Sequence, residues 1–214
     1  MQIINWQDFL KKGLPLGEEN ARFFRCARFF RCAMTVGVFD GVHRGHQALL
    51  KKIVSHNADL VPVVVTFREN HKIGNRESGI GSREEIENFK DINSFHERLA
   101  LFEKLGIQIV IVVDFNDEFR KMKGEEFLKI LSDHAKVGFF AVGSDFRCGY
   151  KLDTDAEAIK NYFASQKIEV EIVPQVMEGS SPVSSSRIRA AIAAGDTALA
   201  QAMLGNGSST KNSL

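Results

Sequence analysis

Two histidines in one short segment have a spacing that could support chemistry. His43 and His46 flank Gly45 within TVGVFDGVHRGHQALL, residues 35–50. In the first turn of a helix, side chains three residues apart face the same way. A helix start also presents unpaired N–H groups and the positive end of the helix dipole, which together attract anions. The segment therefore predicts a phosphate-binding pocket, suited to phosphoryl-type transfer by positioning and charge stabilisation.

Two other interpretations of the histidine pair stay open. Two surface histidines at a frayed helix start would need no function, and an H-x-G-H spacing also arises by chance. Zinc is disfavoured because no cysteine or carboxylate cluster supplies a third ligand at usable spacing. The three cysteines, Cys26, Cys32 and Cys148, form no C-x-x-C pair and predict neither a zinc site nor a disulfide framework.

A second cluster of polar residues, SSSRIR at 184–189, opens a helix near the end of the chain. Ser184 alone is explained as a helix N-cap. Three serines with two arginines exceed what a cap needs, and hydroxyls, first-turn N–H groups and a guanidinium suit a triphosphate. The competing interpretation places the arginines on a solvated helix face.

The elements that must position these residues alternate along the chain. Near-continuous Val/Ile runs predict strands at 33–39, 61–67, 107–115, 137–143 and 168–174. Amphipathic runs predict helices at 46–56, 94–106, 125–135, 155–166, 184–195 and 197–204. The alternation predicts an α/β fold: a Rossmann-like doubly wound parallel sheet of about five strands with helices on both faces. Ligands bind beyond the carboxyl ends of such strands, where the histidine segment lies.

Composition restricts the class of protein. The chain has 214 residues, 44% hydrophobic and 26% charged, with a net charge of +1. This balance indicates a globular domain and gives no sign of nucleic-acid or membrane binding. We expect one domain over 1–205, a disordered polar tail over 206–214, and a cytoplasmic location, since neither a signal peptide nor a membrane span is evident. Nothing in the sequence indicates an oligomeric state.

Two segments do not follow the alternation. Residues 68–93 are polar with little periodicity, which favours a functional flap or a mobile excursion. ARFFRCARFFRC, residues 21–32, is a tandem repeat of six residues. A short duplication absorbed into the lead-in of a strand is favoured over a Phe-Arg platform for nucleotides or single-stranded nucleic acid.

The two polar motifs together resemble the H-x-G-H nucleotidyltransferase superfamily. The closer resemblance is to the FMN adenylyltransferase module of the bacterial bifunctional riboflavin kinase/FMN adenylyltransferases, whose F-D-G-V-H-x-G-H form is more specific. The segments that carry it are 35–50, VVVTF at 63–67, LFEKLGIQIVIVVDFNDEFRKMKGEEFL at 101–128, AVGSDFRCG at 141–149 and SSSRIRAAIAAGD at 184–196.

The resemblance implies transfer of AMP from ATP to FMN, giving FAD and pyrophosphate with Mg²⁺. The implied catalytic residues, which would bind the ATP phosphates and stabilise departing pyrophosphate, are His43, His46 and Arg189. The implied ATP-binding residues are Gly37, Phe39, Asp40, Gly41, Gly45, Ser185, Ser186 and Arg187. The implied flavin-side residues are Phe67, Arg68, Asn70 and Asp145, of which Asp145 would also lie near the metal.

The chain departs from the family pattern on the flavin side. RENHK follows the T-F of the second strand where the family has a D-P-x-P-like turn. Cys148, Leu152 and Thr154 replace an aromatic, an arginine and a glycine. Two alternatives therefore stay open: a nucleotidyltransferase for a different phosphorylated acceptor, and a non-catalytic flavin- or nucleotide-binding paralogue. The resemblance ends near AMLG, 202–205, so riboflavin kinase activity is not expected.

Overall fold

The computed structural model describes residues 1–16, 31–68 and 91–205. Several sequence-based predictions fall outside these residues: most of the ARFFRC repeat with Cys26, most of the polar segment 68–93 with Asn70, and the tail 206–214.

Strands and short helices alternate along the described chain. The strands are β1 Gln2–Asn5, β2 Cys32–Val36, β3 Val61–Phe67, β4 Ile109–Val113, β5 Val137–Gly143, β6 Arg147–Cys148, β7 Thr154–Asp155, β8 Glu169–Val173, β9 Met177–Glu178 and β10 Ser181–Pro182. The helices are α1 Trp6–Lys12, α2 Arg44–Ser55, α3 Phe95–Lys104, α4 Asp117–Lys121, α5 Gly124–Ala135, α6 Ala156–Ala164, α7 Ser185–Ala193 and α8 Thr197–Leu204. Short 3-10 helices cover Asp40–Val42 and Tyr150–Leu152.

The main sheet has six strands in the order β1-β4-β3-β2-β5-β8, with every neighbouring pair parallel. The predicted α/β class with a parallel sheet is confirmed, and the sheet has six strands where about five were predicted. Sequence reasoning missed β1 because it is an edge strand of four mostly exposed residues, without the apolar run of a central strand. The short helices α1 and α4 were missed as well.

Helices cover both faces of the sheet. Successive residues of β3 face opposite cores, with Val63 and Val65 on one side and Val64 on the other, as the strand pleat requires. The first core is shared with α1, α5 and α6, and the second with α2 and α3. A third, small core belongs to α7 and α8. In the described part of the chain, no helix combines the length and apolar character needed to cross a membrane.

The strand order locates the crevice where a ligand would bind. From β2 the chain moves through β3 to β4 on one side, and β5 and β8 lie on the other. Parallel sheets bind ligands at such a reversal, beyond the carboxyl ends of the strands. His43 follows β2 and Asp145 follows β5, so both lie beside this crevice.

Candidate active site

The turn after β2 is conformationally strained. Phe39, Gly41 and Val42 all have positive φ, at 56°, 82° and 39°. This conformation is unusual for a β-branched residue such as Val42 and persists only where the surroundings enforce it. Glycine suits position 41 because a φ of 82° would strain any other residue, and a Cβ there would lie 3.1 Å from the Ile92 side chain. The turn thus directs the chain into α2 with His43 at its start.

His43 and His46 are stacked at the first turn of α2. Their ring centroids lie 3.6 Å apart with an interplanar angle of 17°. His43 is the helix N-cap, and its Nδ1 accepts from the His46 backbone N–H at 3.3 Å. Gly45 permits this arrangement, since a Cβ there would lie 3.2 Å from the His43 ring. The edge of Phe39 packs on His46 at 5.2 Å between ring centroids.

Burial makes His43 a neutral imidazole near pH 7. Only 6% of the residue is exposed. Burial lowers its pKa to about 4, and the negative charge of Asp145 opposes the shift without cancelling it. Because Nδ1 accepts a hydrogen bond, the neutral ring carries its proton on Nε2, a tautomer assigned from that bond. His43 can therefore donate an N–H to a ligand oxygen without carrying a charge.

Asp40 connects this turn to two distant segments. Its Oδ1 accepts from the backbone N–H of Ile92 at 2.9 Å and of Asn93 at 3.4 Å. Its Oδ2 is paired with the Arg189 guanidinium, and its backbone carbonyl accepts from the Ser185 hydroxyl at 2.9 Å. The carboxylate is 4% exposed, so the pair is largely removed from solvent. The two motifs that sequence analysis singled out therefore meet at Asp40.

The other predicted residues of α7 have different surroundings. Ser184 caps the helix by accepting from the Arg187 N–H, and Ser186 is exposed in the first turn. The Arg187 guanidinium donates to the backbone carbonyls of Glu178, Ser181 and Pro182 in the β9–β10 hairpin. Arg187 thus holds that hairpin against the helix, whereas Arg189 lies at the turn.

Two residues of α2 that sequence analysis missed hold the α7–α8 unit in place. The Arg44 guanidinium pairs with Glu178 and donates to the Ala202 carbonyl at 3.2 Å. The Gln47 amide donates to the carbonyls of Val42 and Leu204, both at 2.8 Å. Polar residues in the first turns of an amphipathic helix carry no sequence signal of such contacts.

The predicted flavin-side residues lie after β3 and β5. Phe67 contacts the rings of Phe115 and Phe119, at 6.0 and 5.7 Å between centroids. The Arg68 Nε lies 2.6 Å from Asp114 Oδ1, with 51% of the arginine side chain and 63% of the aspartate side chain exposed. Arg68 and Asp114 line a cleft of about 160 Å³ together with Phe115 and Asn116.

Asp145 is separate from this ion pair. It is exposed, and its Oδ2 accepts from the Gln175 amide at 3.0 Å. It lies close enough to His43 to influence its pKa. Within the described ranges, no group of three or more His, Cys, Asp or Glu side chains is arranged to hold a metal ion. A cation here would need substrate phosphates as further ligands.

Arg98 on α3 is a buried residue that sequence reasoning overlooked. It is 1% exposed and donates to the carbonyls of Val38, Phe67 and Arg68 at the ends of β2 and β3. Burial lowers its pKa, opposed by the charges of Asp91 and Asp40. A signal was available, because position 98 lies on the apolar face of α3, where an arginine is unexpected.

Comparisons with known proteins indicate one family. A family model described as FAD synthetase matches residues 27–187. The bifunctional riboflavin kinase/FMN adenylyltransferase of Escherichia coli K12 is 28% identical over 81% of this chain and 54% of its own length. The same-named protein of Listeria monocytogenes is 30% identical over 85% of this chain and 56% of its own. The chain thus spans about half the length of these curated relatives.

Solved structures share the fold. A macrolide-efflux protein from Streptococcus pneumoniae superposes with a TM-score of 0.76 at 28% identity, over 96% of this chain and 60% of that one. Pantoate-beta-alanine ligase from Francisella tularensis, solved with β,γ-ATP and β-alanine, gives 0.54 at 14% identity over 94% and 79%, which is a likeness of fold alone. Since the family model covers more than half of the chain, including the histidine motif and the first residues of the serine-arginine motif, the chain belongs to the FAD synthetase family.

Proposed function

We propose that this chain transfers AMP from ATP to FMN, giving FAD and pyrophosphate. The observation that carries the proposal is the contact of Ser185 and Arg189 with Asp40, which brings the serine-arginine motif to the histidine turn. A glycine-lined helix start, two imidazoles and a guanidinium then surround one crevice. Such a set of donors suits a polyphosphate. Membership in the FAD synthetase family and the activities for which the relatives are named supply the nucleotide and the acceptor.

The transfer needs no covalent enzyme intermediate. An oxygen of the FMN phosphate attacks the α-phosphorus of ATP, a new P–O bond forms, and the bond to the bridging oxygen of pyrophosphate breaks. The negative charge that develops leaves with pyrophosphate. In the proposal, His43 donates from Nε2 to that charge together with His46, while Ser185, Ser186 and Arg189 hold the β- and γ-phosphates. Gly37, Phe39, Asp40, Gly41 and Gly45 shape the turn around the nucleotide, and Arg187 supports it through the β9–β10 hairpin.

Mg²⁺ fits this donor set as a phosphate-bound ion. Asp145 is an exposed carboxylate near His43, and Mg²⁺ is commonly held by one or two carboxylates together with substrate phosphates. Asp145 would hold the ion against the polyphosphate, where Mg²⁺ would neutralise phosphate charge. The proposed reaction takes place in the cytoplasm and is assigned to a unit formed by residues 1–205. It calls for neither nucleic acid nor membrane.

FMN is the proposed acceptor, although the flavin-side sequence departs from the family pattern. The aromatic rings of Phe67, Phe115 and Phe119 next to the Arg68–Asp114 cleft support a planar acceptor with an anionic group. Transfer to another phosphorylated acceptor is the second candidate, because Arg68 stands where the family has the first residue of its D-P-x-P-like turn.

A product assay tests the proposal. Purified chain is incubated with Mg²⁺, FMN and ATP labelled at the α- or the γ-phosphate, and flavins are separated by chromatography. We expect α-label in FAD and γ-label in pyrophosphate, with riboflavin in place of FMN giving no dinucleotide. Absence of FAD together with nucleotide-dependent pyrophosphate release on other phosphorylated acceptors would favour the second candidate. Tight binding of ATP or FMN without turnover would identify a non-catalytic paralogue.

A further inference from the structure

Arg98 links the ends of two neighbouring strands through a single side chain. Its Nη1 donates to the Val38 carbonyl after β2 and, at 3.1 Å, to the Phe67 carbonyl at the end of β3. Its Nη2 donates to the Arg68 carbonyl at 3.5 Å. The Thr66 hydroxyl also donates to the Val38 carbonyl at 3.2 Å, so the contact between the strand ends is reinforced.

These carbonyls belong to the two halves of the proposed reaction. Val38 directly precedes the strained turn that carries Asp40 and His43 on the ATP side. Phe67 and Arg68 begin the acceptor side. Because one planar guanidinium contacts both, the spacing between the two turns is fixed by a rigid group and not by a flexible loop.

The cost of burying this arginine indicates that it does more than fill space. A charged group withdrawn from water needs compensating hydrogen bonds, and here these come chiefly from backbone carbonyls at strand ends. The Phe95 ring adds a second connection, because the guanidinium groups of Arg98 and Arg68 each lie 5.3 Å from its centroid. An apolar residue on this face of α3 would pack in the core without needing hydrogen bonds to the strand ends or a contact with the Phe95 ring.

We propose that Arg98 is a positioning residue, which acts through the backbone of Val38, Phe67 and Arg68 to hold the ATP-side turn and the acceptor-side turn at the spacing needed for in-line transfer. The inference rests on the proposed function. Reacting atoms must approach to about 3–3.5 Å, and a misplacement of about 1 Å costs on the order of 10²-fold in rate.

The test compares Arg98→Lys and Arg98→Met with Leu99→Ala. Lysine keeps the positive charge but lacks the fork that reaches several carbonyls, and methionine removes the charge. Leu99 is the neighbouring residue of α3, 8% exposed in the core, so its truncation lowers stability without removing a hydrogen bond to the strand ends. For each protein we would measure kcat for FAD formation, affinity for a non-hydrolysable ATP analogue, the unfolding midpoint, and hydrogen exchange of the Gly37 and Arg68 amides.

We expect Arg98→Lys to lower kcat by about 10²-fold while leaving analogue affinity within about threefold, and Arg98→Met to lower kcat at least as far. The Gly37 and Arg68 amides, which bond to Val65 and Val113 across the strand ends, should exchange faster than in Leu99→Ala at matched stability. Leu99→Ala should keep kcat within about twofold. Equal kcat and equal exchange in the Arg98 and Leu99 variants would overturn the inference.

The two proposals fail in different ways. If the wild-type chain forms no FAD, the proposed function is wrong. The exchange and analogue-binding measurements then still test whether Arg98 holds the two strand ends in position. If wild type forms FAD and Arg98→Lys matches it in kcat and in exchange, only the positioning role is wrong.

Discussion

The two sides of the crevice differ in how the chain holds them. On the donor side, defined here as the Phe39–His46 turn with the start of α7, the nearly buried carboxylate of Asp40 pairs with Arg189, 149 residues further along the chain. The backbone carbonyl of Asp40 accepts from the hydroxyl of Ser185, 145 residues further along. On the acceptor side, defined as Phe67 and Arg68 with the Asp114–Asn116 segment, the polar contact is an ion pair whose two side chains are both more than half exposed.

This difference separates a rigid side of the crevice from an adaptable one. Strain at Phe39 and Val42 and the interlocked contacts of Asp40 leave the donor side little freedom to change. A surface ion pair contributes little stability, so the acceptor side can change its chemistry at small cost to the fold. The resemblance described in the sequence analysis likewise implies that departures from the family pattern, such as Arg68, lie on the acceptor side.

The largest expected effect is on the donor side. His43→Asn keeps a good helix N-cap while removing the imidazole donor, and His46→Ala removes the second ring. Each should lower kcat for FAD formation by about 10²–10³-fold, the usual cost of losing one preorganised donor to developing charge. The exposed residue His96 supplies the matched control, since His96→Gln should change kcat by less than about twofold. Full activity in His43→Asn would remove the donor role.

Acid should destabilise the donor side through His43. Its pKa of about 4 in the folded chain lies below the 6.5 of an ordinary histidine, so the unfolded chain takes up the proton first as pH falls. Stability should therefore be lost from about pH 6.5 downwards, by as much as about 3 kcal/mol near pH 4. Urea unfolding at pH 7 and pH 4.5 measures it. Between these two pH values, the free energy of unfolding should fall less in His43→Asn than in wild type and His96→Gln. Equal losses in all three proteins would contradict the assignment of the effect to His43.

Removing the charge of Asp40 should weaken the donor side alone. Asp40→Asn keeps an oxygen for the Ile92 N–H but leaves Arg189 without its carboxylate. We expect a loss of about 2 kcal/mol in the free energy of unfolding and a rise in KM for ATP larger than that for FMN. Asp8→Asn, on a surface pair with Lys12, is the control and should change neither KM. A selective rise in KM for FMN would reverse the assignment of the two sides.

The smallest expected effect is on the acceptor side. Arg68→Ala should raise KM for FMN about tenfold, because a guanidinium bonded to an anionic acceptor contributes roughly 1.5 kcal/mol, and should leave KM for ATP unchanged. Asp114→Asn releases Arg68 from its carboxylate and should leave KM for FMN equal or lower. If both variants raised KM for FMN equally, the ion pair itself and not the arginine would matter.

The main strands could be predicted from the sequence because apolar runs such as Val63, Val64 and Val65 are typical of strands buried on both faces of a sheet. Sequence reasoning brought out the histidine and serine-arginine motifs because their residue types exceed what a helix cap needs. It could not foresee Asp40 as the junction between them, since that contact depends on how α7 packs after the whole sheet has formed. Arg98 was within reach as an arginine on an apolar helix face, whereas its carbonyl partners were not.

Ligand mapping by NMR tests the central claim most directly. With ¹⁵N-labelled histidine and backbone amides, a non-hydrolysable ATP analogue should shift the imidazole signals of His43 and His46 and the Ser185 amide, and leave the Arg68 amide in place. FMN alone should shift the Arg68 and Phe115 amides and spare the imidazoles. An analogue that moved Arg68 while His43, His46 and Ser185 stayed unchanged would contradict the account.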